Sequence, residues 1–193
     1  MKQKFEKPIE HSDEYYYCFL NQSRRILLYA EINSDTAYVL NFKLNAFALE
    51  DKNKPIILEL NSEGGDVCDG FSIIDTIERL KIKTPIYTLI SGIACSMAAI
   101  ISLTGTKRFI TPNAYWMQHA ISGTMSDYLQ HMKDATKFFV RLEKQSEEIM
   151  KKYTKLAKKD YEKINNGELW LNSKEALEKG IVDEILYPNA IIK

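Results

Sequence analysis

The sequence predicts an α/β fold whose core is a sheet of parallel strands. Two observations carry that expectation. Short apolar runs alternate with stretches whose apolar residues recur at helical spacing, in the order β-α-β-α-β, and such units wind with right-handed crossovers. Late in the chain the alternation gives way to one long stretch with neither glycine nor proline, which reads as a single helix. The 193 residues fit one domain with a sizeable core.

Residues 1–24 are polar around the cluster Tyr15-Tyr16-Tyr17 and are expected to be a poorly anchored segment ahead of a domain over 25–193. Arg25 to Ile32 (RILLYAEI) reads as a strand. Asp35 to Leu49 places Ala37, Leu40, Leu44 and Phe47 on one helical face. Pro55 to Asn61 (PIILELN) is the second strand. Gly70 to Leu80 is helical, with Ile73, Ile74, Ile77 and Leu80 aligned. Pro85 to Ile90 (PIYTLI) is the third strand, followed by a helix of small residues from about Ser96 to Thr104. Arg108 to Ile110 and Ala114 to Gln118 read as short strands. From Ser126, a good N-cap, to Tyr153 the spacing predicts one helix, about 40 Å long at ~1.5 Å per residue. That length suits a helix that projects from the domain and packs against another subunit. The end of the chain reads as a short strand from Leu169, a helix over Ser173 to Lys179 capped by Gly180, and a last strand from Ile181 to Ile185.

Lysine plus arginine (26) equals aspartate plus glutamate (26), which argues against nucleic acid or an anionic membrane as the main partner. Three cysteines, Cys18, Cys68 and Cys95, give an odd count without metal-ligand spacing, so free thiols in a reducing cytoplasm are expected and no metal site. The start is not followed by an unbroken apolar stretch of signal-peptide type, and no apolar run reaches ~18 residues.

Two segments and one histidine could carry chemistry. Asn61-Ser62-Glu63-Gly64-Gly65-Asp66-Val67 lies between a strand and a helix. Its paired glycines allow a tight turn with N–H groups left free for negative charge, though a plain turn fits equally well. The lysine of a phosphate-binding loop is missing. Gly92-Ile93-Ala94-Cys95-Ser96-Met97-Ala98-Ala99 surrounds one serine with small residues at a strand-to-helix junction, which can be a nucleophile's seat or an ordinary N-cap. His119 ends an apolar strand and faces a loop, a position suited to acid–base work or to a structural role. His11 and His131 lie in polar surroundings and are expected to be solvated.

Taken together these segments resemble the proteolytic-subunit family of the Clp protease from about Arg25 to Leu186. The resemblance rests on NSEGG at 61–65, ACSMAA at 94–99, KRFITPN at 107–113, MQH at 117–119 and SKEALEKGIVDEI at 173–185, in the family's order and spacing. It implies a fold of the ClpP/crotonase type, with the helix of about 126–153 as a handle that meets a second ring. It implies a serine endopeptidase acting on unfolded polypeptides in stacked heptameric rings, fed by an ATP-driven unfoldase, cytoplasmic and without cofactor. Ser96 would be the nucleophile, His119 the base, and the N–H groups of Gly65 and Met97 the oxyanion hole. The family's orienting aspartate sits two residues before an aromatic, here Trp170, so Glu168 takes that place; glutamate fills this role in some hydrolases. Glu63 stands where the family has proline, and the arginine that typically precedes the acid is absent, as in shorter prophage-type members. The rival readings are a serine–lysine dyad peptidase resembling signal-peptide peptidase A, a non-catalytic ring subunit, and a crotonase-like enzyme acting on acyl-CoA.

Overall fold

A computed structural model of the chain describes residues 20–123 and 126–187. The triple tyrosine, His11 and Cys18 lie outside the described residues. Seven strands form one sheet: β1 (Arg25–Leu28), β2 (Ile56–Ser62), β3 (Ile86–Cys95), β4 (Lys107–Ile110), β5 (Tyr115–His119), β6 (Glu168–Asn172) and β7 (Glu184–Ile185). The main path runs β1-β2-β3-β4-β7, all parallel. From it β5 branches parallel to β3, and β6 pairs antiparallel with β5. The expected parallel core is therefore present, with one antiparallel ladder that the β-α-β pattern did not announce.

The branch arises because β3 is ten residues long and changes partner midway. Tyr87 to Ile90 pair with β4, whereas Ile93 to Cys95 pair with β5. Sequence reasoning ended this strand at Ile90, since Ser91-Gly92-Ile93-Ala94 resembles a loop. Gly92 sits at φ +109°, and the Asn61 side-chain oxygen accepts a hydrogen bond from the Ile93 N–H at 3.2 Å. A Cβ on Gly92 would lie 2.4 Å from that oxygen, so only glycine lets the strand pass this point and keep pairing.

The helices are α1 (Ser34–Glu50), α2 (Val67–Leu80), α3 (Met97–Ser102), α4 (Leu129–Tyr153), α5 (Lys158–Asn166) and α6 (Ser173–Glu178). Asn33 begins α1 with a reciprocal cap: its side-chain oxygen accepts from the Asp35 and Thr36 N–H groups, and Thr36 Oγ1 accepts from the Asn33 N–H. Asp66 caps α2 through the Asp69 N–H at 2.8 Å. The apolar faces read from sequence, Ala37, Leu40, Leu44 and Phe47 on α1 and Ile73, Ile74 and Ile77 on α2, pack with Ile26, Leu28, Ile56, Leu58 and Leu60 of the sheet into one core. A second core gathers Trp116, Leu169, Leu171, Ile164, Met150 and Ala176 around the β5–β6 branch.

Four expectations are corrected. The first strand ends at Leu28, and Ile32 forms only an isolated bridge to Gly65. The long helix is continuous over 25 residues but starts at Leu129; Tyr128, not Ser126, precedes it, without a side-chain cap. The last strand is confined to Glu184–Ile185, because Asp183 turns instead to bind Arg108. The segment ahead of Arg25 is anchored at its end: the buried Arg24 guanidinium donates to the carbonyls of Phe47 at 2.7 Å and Asp51 at 2.9 Å.

Helix α4 buries only Leu142, Ser146 and Met150, all in its C-terminal half. That end is pinned. Lys81 donates to Glu78 and to the Tyr153 hydroxyl, which itself donates to Glu78, and Arg108 donates to the Tyr153 carbonyl at 2.8 Å. The other end leaves Leu129, Phe138 and Val140 exposed.

Candidate active site

Ser96 follows directly from the far end of β3. Its N–H donates to the Met117 carbonyl at 3.0 Å, continuing the pairing of Cys95 with Met117 and carrying the serine alongside the end of β5. Its backbone is held at φ +53°, ψ −122°, a region that residues with a side chain rarely occupy. In that turn the side chain makes no capping hydrogen bond to α3, which removes the N-cap explanation for this serine. Its hydroxyl has no hydrogen-bond partner among the described residues.

The glycine loop packs against this turn. Gly64 is at φ +101°, and a Cβ there would stand 2.8 Å from Ser96 Cβ and 2.7 Å from the Cys95 carbonyl oxygen. Gly64 and Asp66 share the hydrogen bonds to Ile32: the Ile32 N–H donates to the Gly64 carbonyl and the Asp66 N–H to the Ile32 carbonyl, each at 2.8 Å. The Gly65 N–H between them, like that of Met97 at the start of α3, has no acceptor among the described residues. The loop approaches the serine's turn closely, so it does more than reverse the chain.

A cavity of about 300 Å³ is lined by Glu63, Gly65, Ser96, Met97, Gln118 and His119, with Val67, Ile121 and Ser146 among its other walls. The structure thus brings together four of the five residues singled out from sequence. The fifth, Glu168, lies opposite His119 in the antiparallel ladder of β5 and β6, on the same face of the sheet. Its carboxylate accepts from the Trp170 indole N–H at 2.7 Å rather than from the imidazole, and the His119 ring has no hydrogen-bond partner among the described residues. His131 is exposed and meets Asp127 at 3.2 Å, outside this constellation.

Burial, with the nearby charges of Glu63 and Glu168, pushes the Cys95 thiol up to about 11, so the cysteine beside Ser96 stays a neutral thiol. Among the described residues no group of histidine, cysteine and acidic side chains could hold a metal ion, and no helix is long and apolar enough to cross a membrane.

Sequence reasoning missed Ser146 and gave Gln118 no role of its own. Ser146 had a signal: it interrupts the apolar stripe Leu142–Ser146–Met150, one turn apart on α4, where an apolar residue would be expected.

The sequence profile of a family described as Clp protease matches residues 10–189. The ATP-dependent Clp protease proteolytic subunit 2 of Treponema denticola is 33% identical over 173 residues, covering 86% of this chain and 83% of that protein. The proteolytic subunit of Porphyromonas gingivalis is 32% identical over 88% of this chain and 77% of its own length. That of Streptococcus mutans is 31% identical over 91% and 90%.

Proposed function

The chain belongs to the Clp protease family and is a peptidase, and on that premise we propose that Ser96 is its nucleophile, His119 its general base and Glu168 the acid that orients the base. The observation that carries this reading is the cavity in which an uncapped serine at positive φ shares walls with His119 and with two N–H groups that lack acceptors.

The chemistry follows from those groups. Ser96 Oγ attacks the carbonyl carbon of a peptide bond while His119 takes the hydroxyl proton. The C–O bond forms as the carbonyl π pair moves onto oxygen, and that oxyanion lies against the N–H groups of Gly65 and Met97, donors worth roughly 3–4 kcal/mol each. Collapse expels the amine, which takes the proton from His119 and leaves an acyl-serine. Water, deprotonated by the same histidine, then releases the carboxylate and restores Ser96. Glu168 accepts the second imidazole N–H once its carboxylate swings from Trp170 to the histidine across the same rung. The serine hydroxyl and the imidazole have no other partners among the described residues, so small rotations of these two side chains align them, and the only hydrogen bond given up among the described residues is that of Glu168 with Trp170.

The finer reading is also proposed. The exposed apolar residues on the outer part of α4 fit a handle covered by a second copy, in stacked heptameric rings that enclose the sites. Unfolded polypeptide is the substrate, an ATP-driven unfoldase supplies it, and the assembly is cytoplasmic. Residues 25–193 form the peptidase domain, preceded by residues 1–24 as an axial loop or a propeptide; the intact mass of purified protein distinguishes these.

The test is labelling with a fluorophosphonate probe, the adduct located by mass spectrometry. Labelling at Ser96, lost in Ser96→Ala and His119→Ala and strongly reduced in Glu168→Gln, is expected. Absence of labelling in assembled wild-type protein would overturn the claim of autonomous catalysis and favour a non-catalytic ring subunit.

A further inference from the structure

Adjoining the cavity that holds Ser96 is a second one of about 220 Å³, and the two share four wall residues, Gln118, His119, Ile121 and Ser146. Two of the shared walls are polar and buried, and each carries an oxygen without a partner among the described residues. Gln118 is 5% exposed; its amide nitrogen donates to the His119 carbonyl at 3.1 Å, while Oε1 has no partner among the described residues. Ser146 is 4% exposed and its hydroxyl likewise has none. A hydroxyl on a helix ordinarily returns its proton to the carbonyl one turn earlier. Thr136 within α4 and Thr154 just after it do this, donating to Met132 and Met150 at 2.8 Å. Ser146, between them, does not.

The charges lining these walls lean one way. Among the described residues Glu63 is the only lysine, arginine or acidic residue on the Ser96 cavity. On the second cavity Glu143 and Glu147 stand against Lys144, and Glu147 is already engaged by Lys151 at 2.6 Å. Half-buried Glu143 has no ion-pair partner among the described residues.

We propose that Gln118, Ser146 and Glu143 form a subsite for a cationic side chain, lysine or arginine, of the residue next to the scissile bond. The proposal rests on Ser96 and His119 being the hydrolytic pair. A substrate side chain entering here displaces whatever water solvates these oxygens. An apolar side chain cannot replace those hydrogen bonds, and the acceptors left unpaired together weaken binding by about tenfold. An ammonium or guanidinium group supplies donors to all three and meets the negative charge of Glu143. Discrimination is strong when a site built for hydrogen bonding meets an analogue that lacks the donor.

The test uses assembled Ser96→Ala protein, so that binding is read without hydrolysis. Labelled peptides identical except for lysine or norleucine on one side or the other of a fixed scissile bond are titrated by fluorescence anisotropy. At one of the two positions the lysine peptide is expected to bind about tenfold more tightly. Adding Glu143→Gln and Ser146→Ala should bring the ratio to within about twofold. Equal or tighter binding of norleucine at both positions, or a ratio unchanged by the two substitutions, would overturn the subsite. Hydrolysis of the same peptides by protein with Ser96 intact separates the two claims. A lysine preference in binding with no hydrolysis of any peptide would sink the peptidase reading and leave the subsite standing. Equal hydrolysis and equal binding of both members would do the reverse.

Discussion

Replacing Ser96 with glycine should yield a more stable protein than replacing it with alanine. Both changes delete a hydroxyl that forms no hydrogen bond within the described structure, so their difference isolates the backbone. At φ +53°, ψ −122° alanine keeps the strain that serine bears, on the order of 1–3 kcal/mol, and glycine relieves it. Glycine also frees the unfolded chain, which costs about 0.5–1 kcal/mol. The net expectation favours glycine by about 1 kcal/mol, or about 2–4 °C in Tm for a chain of this size. Scanning calorimetry at one protein concentration reads this, since assembly would otherwise shift the midpoint. Both variants should be inactive. If the glycine variant melts at or below the alanine variant, the turn is not strained, and its conformation cannot be what holds the serine away from the helix it precedes.

Three further outcomes are expected. Gly65→Ala would put a Cβ 2.2 Å from the Ile32 carbonyl oxygen at φ +146°, so the loop must move; peptide hydrolysis should fall by about 100-fold while circular dichroism stays native. Iodoacetamide at pH 8 should leave Cys95 unmodified in the native protein and alkylate it after denaturation, because burial and the neighbouring carboxylates hold its pKa near 11; peptide mapping reads both states. Acid should remove stability through Asp160 and Asp183. Burial raises each carboxyl, but the hydrogen bonds and charge of Lys179 and Arg108 outweigh it and hold both below the usual range. Their contribution is present above the unfolded-state carboxyl range and is lost as pH falls through the depressed values. Asp160→Asn strands the partly buried Lys179 and should cost about 3 kcal/mol at neutral pH, with a flatter acid limb in urea titrations.

Elements with strong periodicity were legible: the faces of α1 and α2 and the apolar runs of β1 to β3 lie in the core as their spacing requires. What escaped did so for physical reasons. The second half of β3 is made of small residues that look like a loop until a neighbouring strand pairs with them. Helix α5 buries only Ile164 as an apolar anchor and is held instead by the ion pair of Asp160 with Lys179, a contact across sequence that no local pattern announces. Among the candidate residues, Ser96, Gly65 and Met97 lie in glycine and small-residue motifs that mark where backbone must approach backbone, and the fold brings them to one cavity with His119. The orientation of Glu168 toward Trp170 was not, since a side-chain torsion decides it.

The pairing of His119 with Glu168 on one rung of the β5–β6 ladder separates the site from the chain that joins the two strands. That intervening stretch contains the whole of α4 and α5. Its length and sequence are therefore free to drift, through insertion, deletion or exchange of the outer part of α4, while the spacing of His119 and Glu168 is kept by main-chain hydrogen bonds that do not depend on any of it. A fixed two-strand ladder and a projecting helix can thus evolve at different speeds within a single continuous segment.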